Sequence, residues 1–86
     1  MPVISTFFGI VIRMYYRDHA PPHFHAEHQG EQATFTFDGT PLAGQLRSRT
    51  AKRLIEEWAR AHAVELAADW DRARGGERLE RIEPLQ

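Results

Sequence analysis

The stretch Gly9-Ile10-Val11-Ile12-Arg13-Met14-Tyr15-Tyr16-Arg17 decides the fold, together with His23-Phe24-His25-Ala26-Glu27-His28-Gln29-Gly30-Glu31-Gln32-Ala33-Thr34-Phe35-Thr36-Phe37-Asp38. In the first run Ile10, Ile12, Met14 and Tyr16 share one parity, and Val11, Arg13, Tyr15 and Arg17 share the other. Period two with one apolar face predicts a half-buried strand from Gly9 to Arg17. From His23 to Gln29 the alternation continues, with Phe24 and Ala26 on one side and His23, His25 and Glu27 on the opposite side. Pro22 stands at the entrance of that strand, where a missing N–H costs least. A third strand is predicted from Glu31 to Asp38, with Ala33, Phe35 and Phe37 inward and Gln32, Thr34 and Thr36 outward. Gly30 supplies the turn before it and Gly39-Thr40-Pro41 the break after it. Together these runs predict a three-stranded antiparallel meander with one buried face.

Beyond Gly44 the period changes. Ala51, Leu54, Ile55, Trp58 and His62 follow helical spacing, with Ser48 or Thr50 as the cap. A second helix is predicted over Glu65 to Arg74, with Leu66, Trp70 and Ala73 on one side and Gly75-Gly76 as its stop. Trp58 and Trp70 sit on the apolar stripes and are read as core anchors. The tail from Arg78 to Leu85 reads as extended, able to pair with a sheet edge through Leu79, Ile82 and Leu85. The expected fold class is α+β: a three-stranded antiparallel meander packed against two helices, in one domain over residues 1–86.

At 86 residues, 42% hydrophobic and 27% charged, the chain has the composition of one ordinary globular domain. So short a chain leaves much surface exposed, and a homodimer would add burial. The absence of cysteine excludes disulfides, thiolate metal sites and a cysteine nucleophile. Residues Met1 to Phe8 lack a basic segment and a small-residue cleavage site, and no apolar run reaches the length of a membrane span. A cytoplasmic protein with no membrane partner is the expectation. A net charge of −1 gives no bulk signal for nucleic acid, so RNA binding would rest on a local patch.

Chemistry concentrates in Asp18-His19-Ala20-Pro21-Pro22-His23-Phe24-His25-Ala26-Glu27-His28, which holds four of the five histidines. In the meander Arg13, Tyr15 and Arg17 assemble with His23, His25, Glu27, Thr34 and Thr36 on one polar face. Those groups suit acid/base cleavage of a phosphodiester without metal: His23 and His25 as acid and base, Arg13 and Tyr15 stabilising the phosphate, and Glu27 orienting. The blander reading is a solvated face on which Arg13 or Arg17 pairs with Glu27. The alternative chemistry is a metal site, because His-X-His on a strand points both rings to one face. His19 or Glu27 would then complete a Zn²⁺ or Fe²⁺ site, with His19, His23 and His25 the ligand set and no other cofactor expected.

His28 has the opposite parity and is assigned to a boundary, and His62 to a helix end. Pro21-Pro22 is a stiff entry, or simply a turn with room for a cis bond. Arg47, Arg49, Lys52 and Arg53 bring positive charge to a helix N-terminus, where they form a candidate phosphate-binding patch or a solvated face. Arg17 joins them as a candidate binding residue.

Several segments together resemble the bacterial domain of unknown function 4160 family: Met1-Pro2-Val3-Ile4, Gly9 to Tyr16, the His-X-X-Pro-Pro-His-Phe-His segment His19 to His25 behind Asp18, the Trp58 and Trp70 helices, and Ile82-Glu83-Pro84-Leu85. The resemblance spans nearly the whole chain. It implies a partner from the domain of unknown function 2442 family, encoded by a neighbouring gene, in a toxin–antitoxin-like pair. The expected function is a component of such a pair acting as a metal-independent ribonuclease on the histidine face. The alternative is a non-enzymatic module that docks a protein or a metal there.

Overall fold

A computed structural model describes residues 2–86; Met1, first in the N-terminal segment read above, lies outside them. Five strands, β1 (Val3–Phe7), β2 (Ile10–Arg13), β3 (Phe24–His28), β4 (Glu31–Phe35) and β5 (Pro41–Gly44), precede α1 (Arg49–Ala61) and α2 (Ala63–Arg74). The strands form one antiparallel sheet in chain order. The α+β class holds, but the sheet has five strands where the alternation predicted three.

Both added strands lack the alternation that reveals a strand. In β1 a register shift between Val3 and Ser5 leaves Ile4 and Ser5 both buried, so the period-two pattern is broken at its centre. The turn after it is Phe8-Gly9, with φ of 50° and 77°, and Gln29-Gly30 repeats it at 51° and 80° between β3 and β4. Two successive left-handed residues suit a two-residue hairpin loop whose twist matches the strands. β5 is an edge strand exposed at every residue, so no core selects an apolar pattern in it. Pro41, read as a break, opens this strand, where its missing N–H is tolerated. Gly44 closes it at φ 74°, and a Cβ there would lie 2.5 Å from the Gln32 carbonyl oxygen.

Three expected strands are shorter than the alternation suggested. β2 stops at Arg13, which leaves Tyr15 and Arg17 beyond the strand, and Arg17 takes a left-handed φ of 55°. β3 begins at Phe24, so His23 stands before it. β4 stops at Phe35, where the Asp38 carboxylate accepts hydrogen bonds from the Thr36 hydroxyl and from the Thr40 amide and hydroxyl. These local bonds offer the backbone a turn in place of the ladder.

Ser48 caps α1 by accepting from the Ala51 amide at 3.0 Å. His62 is the hinge residue between the helices, its Nδ1 2.9 Å from Glu65 Oε2. The helices cover the face of Ile10, Ile12, Phe24, Ala26, Ala33 and Phe35 with Ile55, Trp58, Leu66 and Trp70. Trp58 is fully buried, its ring 5.3 Å from that of Phe7 and 5.6 Å from that of Phe24. Among the described residues the tail joins the sheet edge through one backbone bond, Ile82 N–H to the Ile4 carbonyl at 2.7 Å, without adding a sixth strand. Its other anchors are side chains: Trp58 Nε1 donates to the Glu83 carbonyl at 2.8 Å, and the Glu80 amide donates to Asp69 at 2.9 Å. On the opposite face of the sheet Val11, Arg13, His25, Glu27 and Thr34 remain partly accessible.

Candidate functional site

The connector between β2 and β3 places a carboxylate over the end of the sheet. Its turn at Tyr16-Arg17 is held to α2 by the Arg17 N–H, which donates to the Ala73 carbonyl, and the Ala20–Pro21 peptide is cis. Asp18 thereby meets both histidines that flank Phe24. Its Oδ2 lies 2.9 Å from His23 Nε2 and 3.1 Å from His25 Nε2. One ligand atom from each of the three residues lies within 4.8 Å of the others.

His23 is only 5% exposed and packs against Trp70, with ring centres 5.4 Å apart. Its second nitrogen, Nδ1, lies 2.7 Å from the Pro21 carbonyl oxygen. A carbonyl accepts and cannot donate, so Nδ1 carries the hydrogen and Nε2 is the nitrogen presented to Asp18. His25 is one-quarter exposed, and Tyr15 approaches its ring edge-on at 4.3 Å. Burial opposes ionisation of Asp18, but hydrogen bonds from His25 and the His19 amide, with the charge of His23, hold its carboxyl below the usual range. His19 projects into solvent from the same connector, its Nδ1 3.1 Å from the other carboxylate oxygen, Oδ1.

A cleft of about 280 Å³ opens beside this cluster, walled by Pro21, Thr34, Leu42 and Ala43. The side chains that look into it are therefore Asp18, His19, His23 and His25. Glu27 and Arg13 are elsewhere on the face, joined by a 2.6 Å ion pair across β2 and β3. Neither lines the histidine cleft.

At His23 the Nδ1–H is committed to the Pro21 carbonyl, so Nε2, facing Asp18, is the one nitrogen left for proton transfer or for ligation. The basic run is also divided. Arg47 is bound to Glu31, its Nε 2.6 Å from Oε2 and its amide 2.9 Å from Oε1, while Arg49, Lys52 and Arg53 are exposed with no ion pair among the described residues. Lys52 borders a separate cleft with Ala33, Phe35 and Gly44, whereas Thr34 and Ala43 border the histidine cleft. Because Thr34 pairs with Ala43, and Ala33 with Gly44, the two clefts lie on opposite faces of β4 and β5. Arg17 is exposed in the connector and stands in neither cleft.

Asp18 is the residue that reasoning from periodicity missed. It lies in a connector without a period, and its only signal was adjacency to His19 in an Asp-X₄-His-X-His spacing. Trp70, expected in the core, has the further task of walling His23.

Residues 9–71, the span that carries the sheet from β2 onward, the connector and most of both helices, match the domain of unknown function DUF4160. The chain belongs to the DUF4160 family. No curated protein and no solved structure matches it. In this DUF4160 chain the matched span contains all five polar residues that line the cleft, Asp18, His19, His23, His25 and Thr34. No helix among its described residues is long and apolar enough to cross a membrane.

Proposed function

We propose that this DUF4160 protein binds one first-row divalent ion, Zn²⁺ or Fe²⁺, through Asp18 Oδ2, His23 Nε2 and His25 Nε2. The observation that carries the reading is the His23 ring. A histidine that ligates a metal through Nε2 almost always donates its Nδ1–H to a carbonyl or carboxylate, which fixes the tautomer and aims the ligand. The Pro21 carbonyl is that acceptor at 2.7 Å. Two imidazoles and one carboxylate are a donor set suited to either ion, with coordination positions left open.

A bound ion would supply an activated water in the case of Zn²⁺, or an open position for redox chemistry in the case of Fe²⁺. The chain's own residues do the rest. Asp18 balances part of the positive charge. Trp70 holds His23 from behind, and Tyr15 confines the edge of His25. Pro21, Leu42 and Ala43 offer a small, mainly apolar wall to whatever enters, and Thr34 offers one hydroxyl.

Titration of metal-free protein with Zn²⁺ and with anaerobic Fe²⁺ tests the reading. One equivalent should bind, and Asp18→Asn, His23→Ala and His25→Ala should each abolish uptake. A folded protein that takes up neither ion refutes it. Cleavage of RNA that persists in chelator, with arrest of growth relieved by the neighbouring gene's product, would instead restore the metal-independent ribonuclease within a toxin–antitoxin-like pair.

A further inference from the structure

We infer that His19 is a fourth, exchangeable ligand of this centre, swinging in from solvent to close the open side. The inference rests on the metal reading above and adds to it a residue outside the three converging ligands. His19 is next to Asp18 in the chain, and its backbone N–H is held 2.9 Å from Asp18 Oδ1, which fixes the start of the side chain at the rim of the cleft. Its side chain is 87% exposed, so rotation displaces only water. The ring is already gathered toward the cluster: Nδ1 lies 3.1 Å from Asp18 Oδ1, and its centre is 5.7 Å from that of His23.

The separation of His23 and His25 is the one a shared ion requires. With metal–nitrogen distances of about 2.0–2.1 Å and tetrahedral angles, the centres of two ligating imidazoles stand about 5 Å apart. His23 and His25 are already 5.1 Å apart, whereas His19, 5.7 Å from His23, stands outside the converging set and must rotate inward to reach the ion. Unlike His23, whose Nδ1 is committed to the Pro21 carbonyl at 2.7 Å, His19 has one ring nitrogen on Asp18 and the other without a hydrogen bond among the described residues. A strongly held pair with one weakly held, exposed ring describes a site that stands open in this structure, closes when His19 swings onto the ion and opens again for an incoming group. With His19 bound the centre is four-coordinate. With it displaced a coordination position faces Leu42 and Thr34 across the cleft.

Cobalt(II) provides the test, because the intensity and position of its visible d–d bands report coordination without any assay of activity. The full-length protein, His19→Ala, His19→Gln and His23→Ala would each be loaded with Co²⁺, and their affinities measured by competition with a chelator. Wild type should give the intense spectrum of a four-coordinate site. His19→Ala should still bind one equivalent, about 10-fold or more weakly, with a weaker and shifted spectrum, and added imidazole should restore the wild-type bands. Identical affinity and spectrum in wild type and His19→Ala would overturn the role of His19 while leaving the three-ligand centre standing. Failure of wild type to take up Co²⁺, with a folded circular dichroism spectrum, would overturn both.

Discussion

His23 and Pro21 are joined by a short hydrogen bond: the ring nitrogen Nδ1 lies 2.7 Å from the proline carbonyl oxygen, and the opposite nitrogen, Nε2, is left 2.9 Å from Asp18 Oδ2. The ring is thereby fixed with Nδ1–H toward Pro21 and with Nε2, the atom through which a metal would be held, toward the carboxylate.

Imidazole ligates a metal only when unprotonated, so metal uptake by this protein should weaken as pH falls. Calorimetric titration at a series of pH values measures the affinity. An affinity that does not fall with pH would contradict ligation through His23 and His25.

Trp70 supports His23 as well as the core, whereas Trp58 supports only the core and the tail. Trp58→Ala should cost about 3–5 kcal/mol, enough to unfold a small domain at ordinary temperatures. The milder Trp70→Phe should leave the protein folded but weaken metal binding, since the wall behind His23 recedes. Denaturant titration and metal affinity measured on the same samples separate the two effects.

Asp69 is completely buried in α2, and its Oδ1 accepts from Arg72 Nη1 at 2.7 Å and from the Glu80 amide at 2.9 Å. Removing it leaves the Glu80 amide and the Arg72 guanidinium without this partner. Asp69→Ala should destabilise by about 1–3 kcal/mol, and amide exchange at Glu80 and Ile82 should accelerate well before exchange in β2 and β3. Uniform acceleration through the whole chain would show that the tail does not open separately.

Asp38 titrates low, at about 2 against an ordinary 3.8, chiefly because the Thr36 and Thr40 hydroxyls and the Thr40 amide bond its charged form. A carboxyl depressed on folding adds stability above its unfolded value, and that stability is lost as pH falls through the folded value. Between pH 3.8 and about 2 the loop from Thr36 to Thr40 should therefore loosen. Asp38→Asn should remove that part of the acid dependence, read by following unfolding midpoints against pH.

Phe24 and Ala26 opposite His25 and Glu27, and Ala33 and Phe35 opposite Gln32 and Thr34, were legible directly, because a strand with one face on a core must alternate. Trp58, Leu66 and Ala73 were legible for the same reason at helical spacing. These residues by themselves determined the class of the fold and which face of the sheet stays open to chemistry. They also put His25 on that face. What they left undetermined was everything carried by segments without a period. β1 hid behind a bulge at Ile4 and Ser5, and β5 behind the lack of a core to pattern it. The pairing of Glu27 with Arg13 was one of two outcomes that alternation allowed, and register between β2 and β3 selected it. Asp18 was decided by tertiary structure alone. A connector's side chains are aimed by where its ends are anchored, and only the docking of Arg17 on Ala73 and of His23 on Trp70 brings that carboxylate onto two imidazoles.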